Sequence, residues 1–301
     1  MSKIMQLSKD IRKSGGILLE LLLKLNYPIF LLFLLFNFLF IIKGRSQSLV
    51  REPDSVQIKS HKIRSFSLYE YCYMDKHPAM RRQFLKKYDK QGKTIQKFEF
   101  APGREAYRTE FKYDLSGSLT SALTYDPYDG GFYATQYNYN SIGQNTERIH
   151  LDMYGRLEYR NKIKYDSNGN TTEAGTYGLS DKFNSKDEYY YDSTGRLSEA
   201  QLYYIDGKVA CRAKYYYDEK GRTSKVERYD SRDTIASCKY LYSYDNKGNM
   251  IEESMYNQYN ELKERNVYKY DRKGNVIDQV FYAPANVPQF RYKFKYRFFR
   301  K

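Results

Sequence analysis

From Phe84 to Tyr296, large apolar residues alternate with polar ones at a period of two. That is the pattern of strands with one face turned toward a core. The last copy shows it most plainly. Phe290, Tyr292, Phe294 and Tyr296 alternate with Arg291, Lys293, Lys295 and Arg297. Elsewhere the same alternation is cut by short turn clusters at regular intervals. The spacing predicts about sixteen strands over 84–296, joined mainly by hairpins, with helix confined to the N-terminal segment. The fold class expected is all-β: a tandem-repeat antiparallel β-hairpin meander forming a long, curled or winding sheet. Residues 58–87, with Phe66, Leu68 and Phe84, supply its opening strand, and 290–296 its last. Whether such a sheet closes on itself stays open at this point.

The intervals reveal a repeat. A YDxxG motif has its Tyr at 88, 113, 139, 165, 191, 217, 244 and 270, at spacings of 25–27 residues. Asp follows in seven copies and Asn140 in the eighth. The fifth residue is always Gly: Gly92, Gly117, Gly143, Gly169, Gly195, Gly221, Gly248 and Gly274. Asp suits the start of a type I turn, and Gly supplies the positive φ that closes a three-residue hairpin loop with a bulge. A second, less regular turn lies between successive motifs, as at Ile205-Asp206-Gly207.

Strand periodicity gives each strand an aromatic face, which carries the motif Tyr, and a basic face. The basic face holds Arg160, Lys162 and Lys164, then Arg212 and Lys214, then Arg265 and Lys269. These seven are the candidate ligand surface. Glu147, Glu173, Glu199, Glu252 and Asp278 lie eight residues after a motif Tyr. On a simple alternation they join the aromatic face, where tyrosine hydroxyls would bond to them.

The N-terminus reads as an address. Five Lys/Arg precede a fourteen-residue apolar run, Ile29–Ile42, broken by Asn37. A bilayer-spanning helix needs about 20 apolar residues, so the run fits the core of a secretory signal. An uncleaved anchor is the alternative. The expected division is 1–48 signal or anchor, 49–57 linker and 58–301 repeat domain. The protein is expected outside the cytoplasm: secreted, periplasmic or on the cell surface.

Composition refines this picture. Tyr reaches 35 and Trp is absent, with 29% charged residues and a mean hydropathy of −0.81. The aromatics supply the apolar area that so polar a chain needs to order a sheet. Net charge is +15, with +5 in residues 1–48 and +10 beyond. A basic, exported surface favours an anionic glycan, an envelope component or a protein partner, and nucleic acid is disfavoured. The membrane is engaged only through the N-terminal segment. A transmembrane barrel is not expected, because Lys and Arg stud the face opposite the tyrosines.

The YDxxGN and YDxxGR motifs, as in Tyr191-Asp192-Ser193-Thr194-Gly195-Arg196, resemble the YD repeats of the RHS family. The resemblance spans about residues 84–296 and implies a winding β-shell, commonly secreted or surface-exposed. The period of 26 is longer than that family's usual one, and no toxin-like domain follows the repeats.

No catalytic constellation stands out. His61, His77 and His150 lie in unrelated contexts, and the acidic residues recur once per unit, as structural residues do. No cofactor or metal site is indicated. The leading reading is a noncatalytic extracytoplasmic scaffold or binding module. The alternatives are a component of an RHS-like secreted or contact-dependent system and a polysaccharide-acting hydrolase. Cys72, Cys211 and Cys238 form no CxxC pair. In a meander one strand separates Cys211 from Cys238, so both are expected as free thiols.

Overall fold

The computed structural model describes residues 52–300 apart from 54, 76–78, 101–105 and 232. The N-terminal address therefore lies outside the described residues. A short helix, α1 (Ser55–Ser60), leads into eighteen strands. These are β1 (Ile63–Cys72), β2 (Arg81–Tyr88), β3 (Thr94–Glu99), β4 (Tyr107–Tyr113), β5 (Leu119–Tyr125), β6 (Phe132–Tyr139), β7 (Asn145–Leu151), β8 (Leu157–Tyr165) and β9 (Thr171–Tyr177). The second half holds β10 (Phe183–Tyr191), β11 (Leu197–Tyr203), β12 (Val209–Tyr217), β13 (Thr223–Asp230), β14 (Cys238–Tyr244), β15 (Met250–Asn257), β16 (Leu262–Tyr270), β17 (Val276–Ala283) and β18 (Val287–Phe298).

Each strand pairs antiparallel with its sequence neighbours, and β1 pairs with both β2 and β18. The meander expected from the sequence is present, but it closes into an eighteen-stranded barrel rather than an open, winding sheet. Closure comes from β1, whose Phe66 faces Tyr296 and whose Leu68 faces Phe294. Pairing the first strand with the last satisfies two rows of backbone groups that an open sheet would leave as edges. Part of the expected linker is also structural. Residues 55–57 belong to α1, and Ile58 packs among Ile63, Phe66, Leu68 and Tyr88. His61 ties the end of the helix to Asn275 at 2.8 Å.

The motif loops are three-residue hairpin turns, as predicted. In the first, the Gly92 amide donates to the Asp89 carbonyl and the Asp89 amide to the Lys93 carbonyl. The motif glycines have φ between +73° and +92°. Beyond each loop one extra residue interrupts the ladder. Tyr88 faces Thr94, yet Lys87 faces Gln96, so Ile95 has no opposite number. This bulge recurs at all eight motif hairpins. Several of the second turns share the geometry: Gly155, Asp181, Gly207 and Asn260 close three-residue loops with positive φ. The underlying unit is thus one strand and its bulged turn, half as long as the sequence repeat. Asn and Asp stand in for Gly at two of these turns because their side chains tolerate the left-handed region.

The bulge decides which side chains point inward. The motif Tyr, and the residues two and four before it, face the interior. Phe66 and Ala200 are fully buried, and Cys211, Ala213, Tyr268 and Phe281 nearly so. Interior side chains also lean toward one another across intervening strands, as on any concave surface. Asp187 of β10 acts electrostatically on Cys211 of β12, and Tyr137 of β6 on Tyr113 of β4. On the opposite face Tyr190 and Tyr216 are exposed to solvent.

The expected tyrosine–carboxylate pairing fails for the same reason. The extra residue moves Glu147, Glu173, Glu199, Glu252 and Asp278 to the outer face. There they oppose Asn138, Lys164, Tyr190, Ser243 and Lys269. The motif hydroxyls find backbone carbonyls instead. From Tyr113 to Tyr296, each donates to the carbonyl of the first residue of the strand after the preceding motif turn, at 2.5–2.8 Å. Eight such bonds fasten each hairpin to the one before it.

Cys211 on β12 and Cys238 on β14 are separated by β13, the meander arrangement. Burial pushes the Cys211 thiol up to about 11.

The hydroxyl ladder can be tested directly. Tyr191→Phe removes the donor to the Thr171 carbonyl. It should lower unfolding free energy by about 0.5–1.5 kcal/mol in urea titration. No change would mean that water replaces the bond at no cost.

Candidate functional site

The outer wall concentrates the residues that sequence reading singled out. On the strand leading into a motif turn, the residue five places before the motif Tyr faces outward. It stands opposite the last aromatic of the following strand. The pairs are Arg108 with Tyr125, Arg160 with Tyr177, Lys186 with Tyr203, Arg212 with Tyr229, Lys239 with Tyr256 and Arg265 with Tyr282. Most of these cations lie over their partner's ring, with separations such as 4.8 Å for Arg212 and 4.9 Å for Lys186. At Tyr177 it is Lys162, one outward position further along, that covers the ring at 4.8 Å. An exposed cation–ring contact contributes about 0.5–1 kcal/mol. From β8 to β17 five successive hairpins place these pairs side by side as a belt, roughly 9–10 Å apart. The β4–β5 pair stands beyond a gap at β6–β7, where Ala134 faces Leu151.

Carboxylates are interleaved with the belt. Arg160 approaches Glu147 at 3.6 Å and Asp181 at 3.5 Å. Lys162 meets Asp181 at 3.3 Å, Lys164 meets Glu173 at 3.0 Å, and Arg265 meets Glu252 at 2.8 Å. Arg212 donates to the Asp233 carbonyl, while Lys214 lies 5.7 Å from the centre of the Tyr229 ring. Lys269 is exposed opposite Asp278, whose oxygens bond to Arg291 and Lys293. All seven predicted ligand-surface residues therefore share the outer wall, on three separated hairpins. They form cation–carboxylate–aromatic clusters, not a continuous row of bare charge. The eight motif glycines lie at one rim and serve the turns.

The interior contains titratable groups that strand patterning did not flag. His150 stacks on Tyr159 with ring centres 4.1 Å apart and bonds to Asn161 at 3.0 Å and Thr135 at 3.1 Å. Burial holds it down to about 4, so it is neutral. Asp187 faces Ala174 and Leu202 on its neighbouring strands. Burial pushes its carboxyl up to about 7. In sequence, Asp187 is marked only by falling in phase with Tyr189 and Tyr191. Among the described residues, no three His, Cys, Asp or Glu side chains group as a metal site. His77 is outside the described residues.

No protein-family model and no curated protein matches the sequence. Among solved structures, the chain is similar to a porin-like protein from Bacteroides uniformis. That match has 10% identity and a TM-score of 0.45, over 78% of this chain and 98% of that one. A porin-like protein from Bacteroides vulgatus matches at 14% identity and a TM-score of 0.36, over 76% and 97%. A Photorhabdus luminescens Tc holotoxin pore matches at 15% identity and 0.30, over 72% of this chain but 13% of that one.

The resemblance to RHS repeats is corrected by these findings. No family model supports it, and the hairpins close into a barrel rather than a winding shell. The physical reason lies in the motif. Asp at the start and Gly at the positive-φ position are what a bulged three-residue turn requires. Any fold that repeats this turn repeats the motif.

Asp187 gives a pH prediction. Its folded-state value is raised above the unfolded one, so its contribution is fully present below about pH 4. That contribution is lost as pH rises through about 7. Asp187→Asn should therefore raise Tm at pH 8, by an effect on the order of 2–4 kcal/mol, and change little at pH 4. Equal effects at both pH values would show that the carboxyl is not desolvated.

Proposed function

We propose that this chain is a noncatalytic barrel of the cell envelope, held outside the cytoplasm, whose outer wall binds an acidic glycan. The observation that carries the reading is the belt of cation–aromatic pairs. Aromatic faces stack on sugar rings, guanidinium and ammonium groups meet carboxylate or sulfate substituents, and the pairs recur on five successive hairpins from β8 to β17. A spacing of roughly 9–10 Å per hairpin is comparable with the disaccharide repeat of an extended polysaccharide. The apolar run at 29–42 supports export. The outer wall supports an aqueous setting, because Lys or Arg facing lipid at mid-bilayer costs about 2–4 kcal/mol per residue.

A hydrolase would need a carboxylate pair set apart from its repeat equivalents. Glu173 and Glu188 do stand opposite each other on β9 and β10. Lys186 bridges them, at 2.5 Å from Glu188 and 4.0 Å from Glu173. That is the arrangement of a surface charge cluster.

In a glycan-array and calorimetry experiment, the full chain should bind sulfated or uronate-rich polymers more tightly than neutral ones. Binding should weaken as salt rises. The combined substitutions Arg160→Gln, Arg212→Gln and Arg265→Gln should weaken it roughly 10-fold or more. Binding that ignores both salt and these substitutions would contradict the reading.

A further inference from the structure

The two rims of the barrel differ in chemistry. At the rim of the motif turns, most loop tips are polar, such as Ser193-Thr194, Glu219-Lys220 and Arg272-Lys273. The other rim carries the second turns. There, hairpin after hairpin presents a large apolar side chain to solvent. Met74 joins β1 to β2, Tyr128 joins β5 to β6, Tyr154 β7 to β8 and Leu179 β9 to β10. Ile205, Ile235 and Tyr259 continue the series, and all seven are between 52% and 74% exposed. Scattered apolar side chains are ordinary on a protein surface. Their collection on the tips of one rim is a pattern.

We infer that this rim docks onto the surface of a lipid bilayer, with its tips inserted into the interfacial zone. Tips on successive hairpins stand about two strands, or roughly 9–10 Å, apart, so each apolar group is isolated from the next. Between them lie polar groups that must stay wet. Asp152 accepts from the amides of Tyr154 and Arg156, and Asp206 from that of Lys208. A flat protein partner would have to bury those carboxylates along with the tips, at the cost of desolvating them. A bilayer interface takes a spaced apolar tip and keeps its flanks hydrated, and tyrosine is well suited to that boundary.

In two of these turns the flanking charges cancel locally. Arg156 pairs with Asp152 at 2.7 Å, and Lys208 with Asp206 at 3.0 Å. Docking therefore depends on apolar insertion and needs no anionic lipid. It differs in this from glycan binding on the wall, which is charge-driven, so either can fail without the other.

The chain has no tryptophan, which makes a single introduced indole an unambiguous reporter. Y154W and Y259W probe the apolar rim, and I142W probes the motif-turn rim, where Ile142 is 77% exposed. The full-length protein would be mixed with zwitterionic phosphatidylcholine vesicles at low and high salt. The expected result is a blue shift and a several-fold loss of acrylamide quenching for Y154W and Y259W, unchanged by salt, with neither at I142W. No shift at the rim, or equal shifts at all three positions, would overturn the inference. A shift that grows with protein concentration without vesicles would overturn it in favour of a second copy of the chain.

Discussion

The single extra residue beyond each motif turn governs the rest of the molecule. Without it, strict alternation would carry the carboxylates eight residues on, Glu173 and its equivalents, into the interior beside the tyrosines. With it they move outside to meet lysine and arginine, and Ala174 and Ala200 enter in their place. At Ala122, Ala174 and Ala200 the interior gains small residues beside the aromatics, while Glu253 and Gln279 occupy the same position in later repeats. Bulges also strengthen local twist. Eight of them at equal intervals provide the repeated bend that a sheet of eighteen strands needs to meet its own first strand.

Closure and the hydroxyl ladder reinforce each other. Each motif Tyr from Tyr113 onward donates to a carbonyl belonging to the preceding hairpin, so neighbouring hairpins are joined by a side-chain bond as well as by the ladder. Tyr296 makes the same bond to Val276 from the closing strand, and its ring stacks 5.3 Å from Phe66 of the opening one. The seam between β18 and β1 thus resembles the other joints. It is further covered by α1, with Ile58 over Phe66 and Leu68. Because all motif turns share one rim, the chain also sorts its turn chemistry into a polar end and an apolar end.

The repeat, the hairpin loops and the two-faced strands were legible because period-2 alternation and an Asp-x-x-Gly turn are local signals. Three features were not. The bulge follows from loop geometry, and its consequence for Glu147 or Asp278 appears only when the register is counted across it. Closure depends on β1, where Ile63–Cys72 carries alternation but no turn motif to tie it to Val287–Phe298. The equivalence of the second turns was hidden by residue choice, since Gly207 is matched by Asp181 and Asn260 at the same positive-φ position. The seven candidate cations share one wall, as alternation expected, but the carboxylates beside them were assigned to the other face because the register shift was not counted.

Hydrogen exchange at the seam tests the account most directly. In a closed barrel the backbone amides of β1 and β18 are bonded on both sides, like those of β11 and β12. Exchange measured by mass spectrometry or NMR should then show Phe66–Tyr69 and Lys293–Tyr296 as protected as the middle of β11 and β12. Fast exchange confined to β1 and β18, with the other strands protected, would mean that the sheet has two free edges and that the bulged turns curl it without closing it.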